Sequence, residues 1–283
     1  MPRVGVVGHV EWVTFARVAS LPKPGEIVHA SEAWDEAGGG GAVAAVQLAR
    51  LAGECLFLTA LGDDDPARRS RARLEDLGVR VHAAAREVAQ RRAFTHVDAA
   101  GERSITVLGE RIVPAGAERL PWAELGACDA VYFTGGDVAA LRAARAAGVL
   151  VATPRARETL RQAGVTLDAL VLSGGDVHER VDPGEFEPAP RLVVRTAGAR
   201  GGTWARADGT HGAWTAAPVP GPLADTYGAG DSFAAGLTFG LAVHRGDLRA
   251  AVALAARCGA ACLTGAGPYA GQLTAAGLPA PER

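Results

Sequence analysis

The sequence predicts an α/β protein built on a mostly parallel sheet, and three observations carry that expectation. From Asp129 onward, short apolar strands alternate with helical runs at 130–133, 138–147, 149–153 and 169–172, the pattern of strands joined by crossover helices. The run 4–8 is apolar, rich in valine and closed by Gly8, as a strand buried on both faces would be. Two further strand-like segments, 93–97 and 104–108, flank the polar turn Asp98-Ala99-Ala100-Gly101-Glu102 and predict a hairpin. The 283 residues fit one large α/β domain or two small ones, and composition alone does not choose between them.

In chain order, the strand at 4–8 leads to His9, Glu11 and Trp12, the Pro24-Gly25 turn and a weakly alternating stretch at 27–34, expected as an antiparallel hairpin. With 93–97 and 104–108 it can form a small separate sheet. Gly38-Gly39-Gly40-Gly41 opens a helical run at 42–51; this is either a helix N-terminus with mobile backbone or a linker. A strand follows at 56–60. An amphipathic helix at 68–77 is closed by Gly78, and a strand starts at 79. Later, 192–195 reads as a strand, and 202–206 with 211–214 as a hairpin over Asp208-Gly209. Apolar runs at 234–243 and 248–263 read as helices.

Composition removes several function classes. Lys and Arg number 29 against 31 Asp and Glu, with no basic block, so neither nucleic acid nor a membrane surface is an expected partner. Lys23 is the only lysine. That excludes a Walker A loop, which needs Gly-Lys-Ser/Thr, and leaves no strand lysine for a protein-kinase fold. Cys55, Cys128, Cys258 and Cys262 are too few and too scattered for a disulfide framework, so a reducing cytoplasm is expected. Cys258 and Cys262 share a helix face and read as small packing residues rather than half a metal site. No secretory leader is evident, and no apolar run approaches the ~20 residues that span a bilayer.

The chemistry concentrates in Asp225-Thr226-Tyr227-Gly228-Ala229-Gly230-Asp231-Ser232-Phe233. Gly228 and Gly230 permit backbone angles closed to other residues, so this turn can direct N–H groups outward where a helix begins, and such a turn attracts anions. Asp231 beside an anion hole is poorly placed to bind phosphate. It is well placed to take a proton from a hydroxyl attacking that phosphate. Phosphoryl transfer is the chemistry this suggests; the plainer reading is a glycine turn capped by Asp231.

The unbroken stretch resembles the C-terminal signature of the ribokinase-like (PfkB) carbohydrate kinases. Independently, the strand at 4–8, Pro24-Gly25-Glu26, the glycine cluster, 48–51, the strand at 56–60 and Gly62-Asp63-Asp64 resemble the family's N-terminal signature. The resemblance covers nearly the whole chain, 1–283, as one domain. It implies a three-layer α/β sandwich with a small β-sheet lid, its strands within about 10–35 and 90–110, that often dimerises. It implies ATP and Mg2+, with a monovalent cation such as K+ near Asp225 and Tyr227. By the same resemblance Asp231 is the catalytic base, and Gly228, Ala229 and Gly230 form the anion hole. Thr196, Gly198 and Gly201 of the T-x-G-x-x-G run meet the ATP phosphates. Gly38, Gly39 and Gly40 lie against the acceptor. Asp176, in Ser173-Gly174-Gly175-Asp176, stands where relatives carry Asn-x-x-Glu near magnesium.

Two departures bear on the acceptor. Relatives usually carry an aspartate and an asparagine where this chain has Val13 and Val43 (Ala44 next), which predicts a more apolar pocket. Glu11 is then either the remaining polar anchor or simply solvated. The expected function is transfer of the ATP γ-phosphate to a hydroxyl, expected to be a primary alcohol, of a sugar or sugar-like molecule. The alternatives are a nucleoside kinase of the same family or a non-catalytic ligand-binding module on this fold.

Overall fold

The computed structural model describes residues 1–277. Nine strands form one sheet: β1 (Val4–Val7), β4 (Cys55–Leu61), β5 (Val79–Ala85), β8 (Ala130–Phe133), β9 (Val149–Ala152), β10 (Ala169–Ser173), β11 (Leu192–Thr196), β12 (Gly202–Arg206) and β13 (His211–Trp214). Their order is β13-β12-β11-β10-β9-β8-β1-β4-β5. Pairing is parallel from β11 through β5, and only the β11–β12 and β12–β13 pairs are antiparallel, so that β12 alone runs against the other strands.

Along the central strands alternate residues enter opposite cores. Val6, Phe57, Tyr132 and Val151 face α1 (Gly40–Ala52), α5 (Ala229–Val243) and α6 (Leu248–Cys262). Val7, Leu58, Phe133 and Leu150 face α3 (Val138–Ala144) and α4 (Arg157–Ala163). Burial on both faces explains why these strands are uniformly apolar. Small residues bring the helices close: a Cβ at Gly236 on α5 would lie 2.8 Å from Cys258 Sγ on α6. All four cysteines are buried free thiols, and Cys258 and Cys262 serve as packing residues. No helix among the described residues is long and apolar enough to cross a membrane.

A second, four-stranded sheet stands apart, in the order β3-β2-β6-β7. It comprises β2 (Glu11–Arg17), β3 (Glu32–Gly38), β6 (Arg92–Val97) and β7 (Arg103–Leu108). The strand expected at 27–34 lies five residues later, ending at Gly38. The alternation of 27–34 is weak, whereas β3 gains its register from pairing: Phe15 opposite Trp34, whose rings stack at 5.1 Å, and Thr14 opposite Asp35, joined by a 2.7 Å hydrogen bond. The helix expected at 68–77 begins earlier, as α2 (Asp65–Asp76), because Asp64 caps it by accepting from Ala67 N and Pro66 occupies its first turn.

Candidate active site

The site lies at the C-terminal ends of the parallel strands, where loops after β1, β8, β10 and β11 meet the N-termini of α1 and α5. Gly8 permits that approach, since a Cβ there would come within 2.0 Å of Thr134 Oγ1 and 3.1 Å of Gly41 Cα.

Backbone geometry builds one half. Gly228 caps α5 with φ 80°, a left-handed conformation that favours glycine. Gly230, expected to need such angles as well, does not; it lies inside the first helical turn. A Cβ on Gly230 would touch nothing within 4 Å, so the first-turn N–H donors open onto free space, as an anion site requires. The loop before α5 is held by Asp225, fully buried, whose Oδ1 accepts from Tyr227 N (2.8 Å) and Oδ2 from Gly267 N (3.0 Å). Tyr227 Oη accepts from Gly39 N (3.1 Å), tying the two glycine clusters together. The lid joins as well: Thr226 donates to Gly101 O through both N and Oγ1, at 3.1 Å each, and Arg103 donates to Thr226 Oγ1 at 3.1 Å.

Asp231 faces Gly40, where a Cβ would lie 2.8 Å from Oδ1. Burial, then the charge of Glu179, pushes its carboxyl up to about 6. Beside it Tyr132 is buried, and its phenol is raised chiefly by that burial.

The other half is made of side chains, and it is not apolar. Val13 and Val43 are fully buried. Val43 packs under Gly228, with Cγ1 2.9 Å from where its Cβ would be, and Val13 Cγ2 lies 2.7 Å from the Cβ position of Gly38. The valines therefore act as wedges below the glycines. The expected apolar pocket is replaced by a charged cluster of His9, Glu11, Arg91 and Arg111. Glu11 is 7% exposed, with Oε1 2.8 Å from Arg91 Nε and 3.5 Å from His9 Nε2. Burial opposes its ionisation, but the His9 N–H and the charges of Arg91 and Arg111 outweigh burial and hold it below the ordinary range. Burial and the Arg111 charge lower His9 to about 4. The ring is therefore neutral near pH 7, and Nδ1, 2.9 Å from Arg111 Nη2, is its acceptor.

Facing this cluster is the loop after β10. Gly174 N donates to Thr196 O (2.8 Å), joining it to the loop 196–201, which Gly198 (φ 58°) and Gly201 (φ 85°) turn. A Cβ at Gly201 would strike Trp214 O, while Gly198 is open. Asp176 caps His178 N at 2.8 Å and pairs with Arg155. Glu179, three residues on, is more deeply placed: it accepts from Ser173 N (2.7 Å) and Arg155 Nε (3.2 Å).

The structure thus places Asp231 against Gly40, Tyr227 against Gly39 and Glu11 beside Gly39, with Asp225 holding the loop before α5; Asp176 lies on the loop after β10, which Gly174 joins to the loop of Thr196, Gly198 and Gly201. Sequence reasoning missed Arg91, Arg111, Arg155 and Glu179. Only Glu179 had a usable signal, as a second acid just past Ser173-Gly174-Gly175-Asp176.

A sequence model of the pfkB family carbohydrate kinases matches residues 1–170 and 143–275. No curated protein matches the sequence. Among solved structures the chain is similar to ribokinase from Thermotoga maritima (21% identity, TM-score 0.77, covering 98% of this chain and 97% of that one). It is also similar to Arabidopsis thaliana ribokinase complexed with ribose and ATP (19%, 0.76, 97% and 96%). A third is the nucleoside kinase of Methanocaldococcus jannaschii (16%, 0.74, 98% and 96%). At these identities the structures show a shared fold.

Proposed function

The chain belongs to the pfkB family of carbohydrate kinases, and from that premise we propose that it transfers the γ-phosphate of ATP to a hydroxyl of a sugar-like acceptor. The observation that carries this reading is Asp231: a carboxylate raised to about 6, facing the glycine cluster from the first turn of a helix whose N–H donors open at Gly230. An aspartate with that affinity for protons is ionised at neutral pH yet a better base than an ordinary carboxylate. In the proposed step the acceptor oxygen attacks the γ-phosphorus and its proton passes to Asp231. The Gly228–Gly230 N–H groups stabilise the charge on the transferring group. The lid, held to Thr226 by Gly101 and Arg103, excludes water.

The donors near the phosphate side suit magnesium. Among the described residues no three His, Cys, Asp or Glu side chains gather into a cage. Asp176 and Glu179 supply hard oxygens beside the phosphate loop, and Mg2+ is ordinarily held by one or two carboxylates together with substrate phosphates. It would neutralise phosphate charge there. A monovalent cation can also be held near Asp225, since each of its oxygens accepts only one backbone N–H group and a carboxylate offers about four lone-pair sites; dependence of turnover on added K+ tests it.

The lid also supports a homodimer. Phe94 and Leu108 are 36% and 47% exposed on its outward face, in a pattern set by the β6–β7 register, and light scattering of the wild type and Phe94→Asp tests it. The buried free thiols suit a reducing cytoplasm. The test of the central reading is ATP-dependent phosphorylation across sugars, polyols and nucleosides, with Asp231→Asn as control. Turnover by that variant at the wild-type rate would refute it.

A further inference from the structure

Resting on that reading, we infer that the acceptor is an anionic polyol, with its reacting hydroxyl at Asp231 and a carboxylate or phosphate at its far end, bound by Arg91.

The residues form a chain of contacts. Gly40 lies against Asp231 Oδ1, and a Cβ there would also be 3.8 Å from His9 Cε1. The His9 ring reaches Glu11, and Glu11 reaches Arg91. Arg91 is therefore the member of this chain of contacts farthest removed, contact by contact, from the base. Its Nε lies 2.8 Å from Glu11 Oε1 as an ion-pair contact that is not aligned as a hydrogen bond, its two terminal amino groups have no protein hydrogen-bond partner among the described residues, and its side chain is 19% exposed. A guanidinium with its fork unused suits a planar carboxylate or a phosphate.

Charge points the same way. Behind Arg91, Arg111 is oriented by Thr134 O (2.7 Å), Arg155 O (2.9 Å) and His9 Nδ1, and no carboxylate among the described residues forms an ion pair with it. His9, neutral, offers no charge either way. Glu11 is thus one carboxylate against two guanidiniums. The remaining acids do not make up the difference. Asp176 and Glu179 are both paired with Arg155, and the cations that Asp231 feels most are Arg103 and Arg155. Burying an uncompensated cation is costly, and a ligand anion removes that cost. Transfer then forms the bond from acceptor oxygen to γ-phosphorus, breaks the bond from that phosphorus to the β,γ-bridging oxygen, releases ADP and leaves the hydroxyl proton on Asp231.

The experiment measures ADP release by the full chain with ATP and Mg2+, comparing D-gluconate and D-glucuronate with D-glucitol and D-glucose. Ribose 5-phosphate and fructose 6-phosphate separate a phosphate from a carboxylate. At least about tenfold higher kcat/KM for a charged class over neutral counterparts is expected, the scale of hydrogen bonds to a charged group. Arg91→Gln should lose most of that preference through KM, Arg91→Lys should keep part of it, and calorimetric ATP affinity and thermal unfolding show that both variants remain folded. Neutral sugars used as well as acids, or an unchanged KM for the charged acceptor in folded Arg91→Gln, would overturn the inference and leave the kinase reading standing. ADP release with no acceptor of either class would overturn the kinase reading, and this inference with it.

Discussion

The two halves of the cleft are built from different material. Around Gly228–Gly230 the chemistry is backbone: N–H groups at a helix start, a left-handed glycine, and one buried aspartate that clamps the loop. Around Glu11 it is side chains: a histidine, a glutamate and two arginines contributed by β2, the start of β6 and the loops at residues 9 and 111. Backbone sites are rigid and indifferent to acceptor identity. Side-chain sites select, because each group is left unpaired by the wrong ligand.

The largest effect should separate catalysis from stability within the backbone half. Asp231→Asn should lower kcat by ~10²-fold or more, the usual contribution of a positioned base, with ATP affinity unchanged by calorimetry. The same variant should be more stable. A carboxyl raised to about 6 binds its proton more tightly folded than unfolded, so its destabilising effect is absent at low pH, grows as pH rises from the unfolded value and is complete above about 6. Asn removes it. The unfolding free energies of wild type and variant should therefore converge near pH 4 and part above pH 6, by on the order of 1–3 kcal/mol, as urea titration across pH would show.

Next comes the side-chain half. Glu11→Gln leaves Arg91 without its carboxylate and should cost roughly 2–4 kcal/mol of stability in urea titration, while weakening acceptor affinity and not ATP affinity. Equal losses for both ligands would erase the distinction between the halves.

The two glycines of the anion hole should then diverge. Gly228→Ala forces a Cβ to 2.9 Å from Val43 at φ 80° and should destabilise by about 1–3 kcal/mol. Gly230→Ala meets nothing in the protein and should fold normally, with its loss confined to turnover because the methyl enters the phosphate space. Glu179→Gln is read in the pH profile, as distinct from the rate itself, because it removes the main anionic neighbour of Asp231. The acidic limb of the kcat profile, which rises through about pH 6 as Asp231 ionises, should move to lower pH; a shift upward would contradict the arrangement.

Legibility divided along the same line. The parallel strands could be read because burial on both faces demands continuous apolar runs, and the hairpin over Asp208-Gly209 because the turn residues are local signals. The anion hole could be read because glycines and the base are adjacent in sequence. Strand β3 was misplaced because its register comes from Phe15–Trp34 stacking and Thr14–Asp35 pairing, contacts about twenty residues apart. The charge of the acceptor pocket was missed for a stronger reason. Val13 and Val43 marked where polar groups were absent, but nothing local in the sequence says that Arg91 and Arg111 arrive to replace them.

By itself, then, the sequence determined the alternation of strands and helices and the glycine turn with Asp231 beside it, since each depends on residues within one or two turns of one another. Tertiary structure alone decided that Glu179 lies deeper beside Ser173 and Arg155 than Asp176 does, that the valines are wedges below the glycines, and that Arg91 and Arg111 gather near Glu11 and His9. Those facts depend on which distant segments are packed together out of water, where a charge must find its partner in space and not along the chain.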